Sequence, residues 1–253
     1  MRVFLTGASS GIGAALAVHY AAAGATLGLA ARRAPLLDEL VAGLPGDHFR
    51  YALDVTDANA LRSAAEDFMA RSGVPDVVIA NAGVSAGTLG EVADDLPVQQ
   101  RIFETNVMGM ANTLQPFVAA MKARGTGRLV GIASVAGIRG FPGAGAYCAS
   151  KAAAIAWLEA LRLEMRGSGV RVTTIAPGYI ATPMTAANTF RMPFLLPADL
   201  AARRIARAID SGTSYAVVPW QMAVVGKLLR AMPDRLFDAL FARAGRKPRG
   251  LGG

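Results

Sequence analysis

Tyr147 and Lys151 stand four residues apart in a stretch with helical apolar spacing, so they share one helix face. A free phenol titrates near 10 and is a poor base at neutral pH. A neighbouring ammonium favours the phenolate, and lowering a pKa by about three units is worth roughly 4 kcal/mol. A value nearer the working pH makes proton transfer efficient. Ser134 lies 13 residues before Tyr147, at the end of an apolar strand-like run. Its hydroxyl could hold a carbonyl oxygen and stabilise the negative charge that develops there. Tyr-x-x-x-Lys also arises by chance on any amphipathic helix, so the pair gains meaning only from its company.

That company begins near the start of the chain. Thr6-Gly7-Ala8-Ser9-Ser10-Gly11-Ile12-Gly13 follows a short apolar strand and opens a helix. Glycines at such a turn let phosphates approach the backbone, where unpaired N–H groups and the positive helix end stabilise an anion. The spacing is Gly-x-x-x-Gly-x-Gly, and its context separates a dinucleotide site from a merely structural turn. The second strand ends in Ala31-Arg32-Arg33. An acid there would bind ribose hydroxyls and repel a 2′-phosphate, whereas Arg32 and Arg33 would pair with it. The residues therefore favour NADP, with NADPH over NADH; the competing explanation is a solvated arginine pair opening a helix.

Short apolar runs alternate with helical stretches along the chain. Strands are expected at Val3–Thr6, Ala25–Ala30, His48–Leu53, Asp76–Ala80, Leu129–Ala133, Val170–Ile175 and Tyr215–Val218. Helices are expected at Ile12–Ala23, Ala34–Ala42, Ala58–Arg71, Tyr147–Arg166 and Ala198–Ile209, with a long helical region between Leu96 and Ala123. Strands apolar nearly throughout, such as Asp76–Ala80, are buried on both faces, as in a parallel sheet covered by helices. The pattern implies a single-domain α/β fold, a Rossmann-like doubly wound parallel sheet of about seven strands with helices on both faces. Residues 1–219 read as the cofactor-binding and catalytic unit, and 220–253 as an apolar, basic helical extension of the same domain.

Bulk properties narrow the rest. The 253 residues, 53% hydrophobic and 17% charged, suit one large folded unit. The net charge of +8 attracts anions, yet no zinc finger, aromatic RNA motif or basic zipper accompanies it, so no nucleic-acid partner is expected. The lone Cys148 permits no internal disulfide, supports no metal site and suits a reducing, cytoplasmic setting. His19 and His48 are isolated, and Asp94-Asp95 reads as a solvated helix start. The chain enters its first strand at once, leaving no room for a signal peptide, and glycines interrupt the uncharged stretch from Leu5 to Ala31 too often for a spanning helix.

Taken together, these residues resemble the short-chain dehydrogenase/reductase family over nearly the whole chain to about Pro219. The resemblance implies roles for further residues. Asp54 and Val55 would meet the adenine ring, Asn81-Ala82-Gly83 would brace the central sheet and line the cofactor, and Pro177, Gly178, Ile180 and Thr182 would grip the nicotinamide end. Asn106 would join Ser134, Tyr147 and Lys151 as the catalytic set, anchoring a water that links Lys151 to a proton relay; its plainer alternative is a helix-kinking or capping amide. The implied activity is NADP(H)-dependent interconversion of a carbonyl and an alcohol, with Tyr147 as general acid and base and Lys151 also holding the nicotinamide ribose. A homodimer or homotetramer is implied as well.

Two segments bear on substrate and partners. Met184–Pro197 corresponds to the family's variable lid, and its apolar side chains suggest an apolar small-molecule carbonyl or alcohol. From Gln221 onward seven basic residues face two acids, a net +5 on apolar helical spacing. Such a segment suits either a helix packed on a partner subunit with a frayed basic tail, or peripheral contact with anionic membrane. A non-catalytic nucleotide sensor or scaffold is the alternative function; it would not need Asn106, Ser134, Tyr147 and Lys151 together.

Overall fold

The structure is a computed structural model that describes residues 1–250. The chain begins with β1 (Arg2–Thr6), α1 (Gly11–Ala22), β2 (Thr26–Ala31), α2 (Ala34–Ala42), β3 (Phe49–Ala52), α3 (Ala58–Ser72) and β4 (Val77–Ala80). Then α4 (Leu96–Phe103) passes through a π-helical turn, Glu104–Met108, into α5 (Gly109–Arg124), followed by β5 (Gly127–Ile132), α6 (Gly145–Glu164) and β6 (Val170–Pro177). The short β7 (Ile180–Ala181), α7 (Pro183–Ala186) and β8 (Leu196–Pro197) precede α8 (Ala198–Asp210), β9 (Tyr215–Val218), α9 (Gln221–Ala231) and α10 (Asp234–Phe241).

Seven strands form one sheet in the order β3-β2-β1-β4-β5-β6-β9, every neighbouring pair parallel. Both faces are covered, as parallel pairing of such apolar strands requires. On one face Leu16, Ala17 and Tyr20 of α1 meet Ala202, Ile205 and Ile209 of α8 over Val3, Leu5 and Ile79. On the other, Leu61 and Phe68 of α3, Leu114 and Phe117 of α5 and Leu158 of α6 pack over Phe4, Val78 and Leu129. The seven expected strands are those of this sheet, with ends moved by a residue or two. The long helical region after Leu96 differs more: it is two α-helices joined by a π-turn, and Asn106 sits in that turn, fully buried.

Beyond Pro219 the chain packs on itself. Phe237 and Phe241 of α10 lie 4.7 Å apart between ring centres, and both contact Phe141 at 5.7 and 5.6 Å. The Arg139 guanidinium covers Phe237 at 4.2 Å. After α10 the backbone returns to the rest of the molecule: Gly87 N donates to Pro248 O at 2.8 Å, and Arg249 pairs with Asp95 at 3.0 Å. Asp95 is therefore not the solvated helix start its sequence suggests. It is 3% exposed, with Leu89 N donating to it at 2.8 Å. Residues 251–253 of the expected C-terminal extension lie outside the described residues. No described helix is long and apolar enough to cross a membrane.

Phe4 links the strand that feeds the glycine turn to three aromatic neighbours: Tyr51 at 5.7 Å, Phe68 at 5.6 Å and Phe117 at 4.9 Å. It is completely buried. Phe4→Ala is expected to lower stability by about 3–5 kcal/mol, read as a reduced urea midpoint with an unchanged slope.

Candidate active site

Parallel strands end together, and a cleft opens outside their carboxyl ends at the switch between β1 and β4. Asn81 closes that switch point. Its Nδ2 donates to Thr6 O and Gly7 O, each at 3.1 Å, while Asn81 N donates to Thr6 Oγ1 at 3.3 Å. The turn after β1 is packed so tightly that a Cβ on Gly13 would lie 2.1 Å from Gly7 O. Gly7 itself has φ +67°, and a Cβ there would stand 2.7 Å from Ala82 Cα. Helix α1 then starts with no side-chain cap from Ser10 and no acid in its first turn. Its N-terminal N–H groups and positive end are left for an anion.

The rim by β2 is basic. Arg33 Nη2 donates to Ser9 Oγ at 3.1 Å and to Ser10 Oγ at 2.8 Å, so the guanidinium lies over the glycine turn. Arg32 approaches Asp54 at 3.9 Å, and Asp54 is also paired with Arg101. Burial works against ionising Asp54. Hydrogen bonds from Thr56 N and Thr56 Oγ1 and from Arg101, with the charge of Arg101, outweigh it and hold the carboxyl below its usual range. Arg101 lies 47 positions beyond Asp54 on α4, and no local spacing marks it.

At the other end of the cleft Lys151 is 4% exposed and donates from Nζ to Ile132 O at 2.9 Å. The ammonium is 5.9 Å from the Tyr147 ring centre. Burial lowers the Lys151 pKa to about 8. Burial also raises that of Tyr147, and the Ser134 hydroxyl acting in the opposite sense does not cancel it. The phenol is thus shifted opposite to the direction expected from its lysine: in the protein alone, desolvation disfavours the charged form of both groups. Ser134 accepts from Ala136 N at 3.1 Å and lies 3.5 Å from Pro177 O, which fixes its hydroxyl at the end of β5.

Every sequence-marked residue lines this cleft except Gly13 and Asn106. Gly13 acts through packing. Asn106 Oδ1 accepts from Val84 N at 2.8 Å, and its Nδ2 donates to Val84 O at 2.9 Å and Ser150 Oγ at 3.0 Å. Ser150 in turn donates to Tyr147 O at 2.8 Å, so the buried amide braces the loop after β4 against the helix that carries Tyr147 and Lys151. Thr105, unmarked in sequence, also lines the cleft, and its buried hydroxyl has no protein partner. Met184 of α7 lines the cleft as well. Lys247 was equally unmarked as a site residue: Nζ donates to Ser85 Oγ at 2.8 Å and lies 5.7 Å from the Tyr147 ring centre.

A family model described as short chain dehydrogenase matches residues 1–191. An uncharacterized oxidoreductase of Myxococcus xanthus is 40% identical over 246 residues, covering 94% of this chain and 95% of its own. Among solved structures, an alcohol dehydrogenase of Thermococcus sibiricus complexed with 5-hydroxy-NADP superimposes with TM-score 0.75 at 26% identity, covering 86% of this chain and 94% of its own. A 3-ketoacyl-(acyl-carrier-protein) reductase of Brucella melitensis complexed with NADH shares the fold, with TM-score 0.78 at 22% identity and coverage of 86% and 96%. With a doubly wound sheet, a glycine turn at its switch point and Ser134, Tyr147 and Lys151 at one end of the cleft, the chain belongs to the short-chain dehydrogenase family.

Proposed function

We propose that the protein interconverts a carbonyl and an alcohol with NADP(H), using Tyr147 as the general acid and base. The observation that carries this reading is that one continuous cleft joins a braced arginine, Arg33, to the half-buried Tyr147 and the buried Lys151. The uncapped start of α1 and the glycine turn fit a diphosphate, and Arg32 and Arg33 fit a 2′-phosphate. Asp54 and Val55 line the cleft and would meet the adenine ring. Asn81, Ala82 and Gly83 also line the cleft, and Pro177, Gly178, Ile180 and Thr182 line the end that would take the nicotinamide. The likeness to an alcohol dehydrogenase complexed with 5-hydroxy-NADP runs the same way. When bound, the reduced nicotinamide supplies the hydride.

The chain's own residues supply position and protons. Ser134 orients the carbonyl oxygen, and Tyr147, a phenol whose burial pushes its pKa up, donates to it. In the alcohol direction Tyr147 must give up its proton, and the Lys151 ammonium stabilises the phenolate that results. Asn106 holds the helix bearing both groups in register. Met184 lines the cleft, and behind it the lid packs Phe190 against Tyr179, 6.2 Å between ring centres, an apolar setting that suits an apolar substrate body. A homodimer or homotetramer in the cytoplasm accompanies this reading. Phe103, Met108 and Leu163 expose apolar surface around α4–α6 for a second copy to cover, and the single Cys148 suits a reducing compartment.

Tyr147→Phe is expected to cut turnover about 10²–10⁴-fold while leaving NADPH binding, read by nicotinamide fluorescence, intact. A fully active variant contradicts the proton role. Arg33→Ala is expected to weaken NADPH binding about tenfold with little effect on NADH, because a charge-assisted contact to the 2′-phosphate is lost. Equal losses for both cofactors would assign Arg33 to the turn alone. Lys151 titrates near 8 in the folded protein against 10.5 unfolded, so between these values the unfolded chain holds a proton that the folded one has released. Stability from this group therefore rises with pH across that window, by about 3 kcal/mol. Lys151→Met should lack the rise, seen as a wild-type-minus-variant difference in urea unfolding at the two ends of the window.

A further inference from the structure

The C-terminal tail carries a second ammonium to Tyr147. Lys247 Nζ lies 5.7 Å from the Tyr147 ring centre, and Lys151 Nζ lies 5.9 Å from it. The two lysines differ in what they are bonded to. Lys151 is committed to the sheet through Ile132 O. Lys247 reaches the phenol from the tail and gives one of its three protons to the Ser85 hydroxyl, at 2.8 Å. Among the described residues no carboxylate lies within 4.0 Å of it. An ammonium that is half-buried with donors to spare is short of an anion.

Its placement is built rather than incidental. On one side of Lys247, Gly87 N donates to Pro248 O at 2.8 Å, and Arg249 pairs with the buried Asp95 at 3.0 Å. On the other side the Arg246 stem packs over Gly143, and Gly245 lies so close to the lid that a Cβ on it would stand 2.7 Å from Phe190 Cβ. The tail is thus stitched to the loop after β4, to the loop before α6 and to the lid, and Lys247 is the side chain it turns toward the phenol. Burial also depresses the Lys247 pKa, the signature of a cation short of opposite charge.

We infer that Lys247 is a specificity-determining residue that pairs with a carboxylate on the substrate, making the preferred substrate an oxo acid and its hydroxy acid. This rests on the proposed carbonyl–alcohol chemistry, and it adds a charged group to the apolar body that the lid suits. Lys247 would grip the carboxylate while Ser134 and Tyr147 hold the reacting oxygen, so the acid is oriented through two points.

The test uses the full chain with NADPH bound and two non-reacting probes of equal length, hexanoate and hexanamide, with binding followed by calorimetry. The wild type should bind hexanoate at least tenfold more tightly than hexanamide. Lys247→Met should erase that preference, and Lys247→Arg should keep most of it. Equal binding of the two probes by the wild type, or an unchanged preference in Lys247→Met, overturns the inference. Kinetics give a second readout: with 3-oxohexanoate and its ethyl ester, Lys247→Met should raise KM for the acid relative to the ester by tenfold or more. Failure of the oxidoreductase reading appears differently, as no NADPH consumption with either carbonyl compound while the carboxylate preference in binding persists.

Discussion

A single buried cation organises this molecule. Lys151 is almost wholly removed from water, and its ammonium makes one protein hydrogen bond, to Ile132 O at the end of β5. Desolvating a charge is expensive unless partners replace the lost water, and one carbonyl replaces it only in part, which is why the pKa falls to about 8. Such a group persists where its surroundings fix it firmly. Here it joins α6 to β5 two residues before Ser134, so the phenol one turn earlier on the helix is carried to the same strand end. The penalty for burying the cation becomes available work when an adjacent phenolate forms, since a charged neighbour then supplies what solvent no longer does.

The rest of the fold holds that pair and the glycine turn in one frame. Parallel strands finish side by side, which places Gly7, Asn81, Ser134 and Pro177 along one edge although 171 positions of sequence hold them. Asn81 bridges β1 to β4 at the point where strand order reverses. Asn106 performs the matching task one layer out, and the π-turn helps it do so: a local widening of the helix brings an amide into a fully buried position against Val84 and Ser150. Satisfied buried amides of this kind fix geometry because any displacement strands a donor or acceptor.

What could be read from the sequence divides along physical lines. The seven strands were legible because double-faced burial writes continuous apolar runs. The glycine turn, the Arg32–Arg33 pair and the Tyr147–Lys151 pair were legible because each is a local pattern, whereas Asp54, Asn81 and Pro177 stood out only through the family resemblance. The π-turn was not legible, since its residues have ordinary helical spacing. Asp95 reads as solvated from its neighbours alone because its partner, Arg249, lies 154 positions away. The sign of the Tyr147 shift was missed for another reason: sequence shows the neighbouring charge but not the depth of burial, and here depth is the larger effect.

The basic C-terminal segment shows the same limit with a functional edge. Counted along the chain, its charges read as one patch facing outward, toward lipid or a second subunit. In three dimensions Lys247 and Arg249 turn inward to Ser85 and Asp95, and Phe237 and Phe241 are occupied by Phe141 of their own chain. Exposed apolar surface remains on the outer side of α9 and α10 at Leu228, Leu236 and Leu240, so the segment has two faces with different tasks. The lid and the tail meet where Gly245 approaches Phe190, and they carry different chemistry, one apolar through Phe190 and Met184, the other cationic through Lys247. A substrate that satisfied only the lid would leave a half-buried ammonium without its counter-charge, and one that satisfied only the ammonium would leave apolar walls wet. Both losses are relieved together only by a molecule with an acid at one end and hydrocarbon at the other.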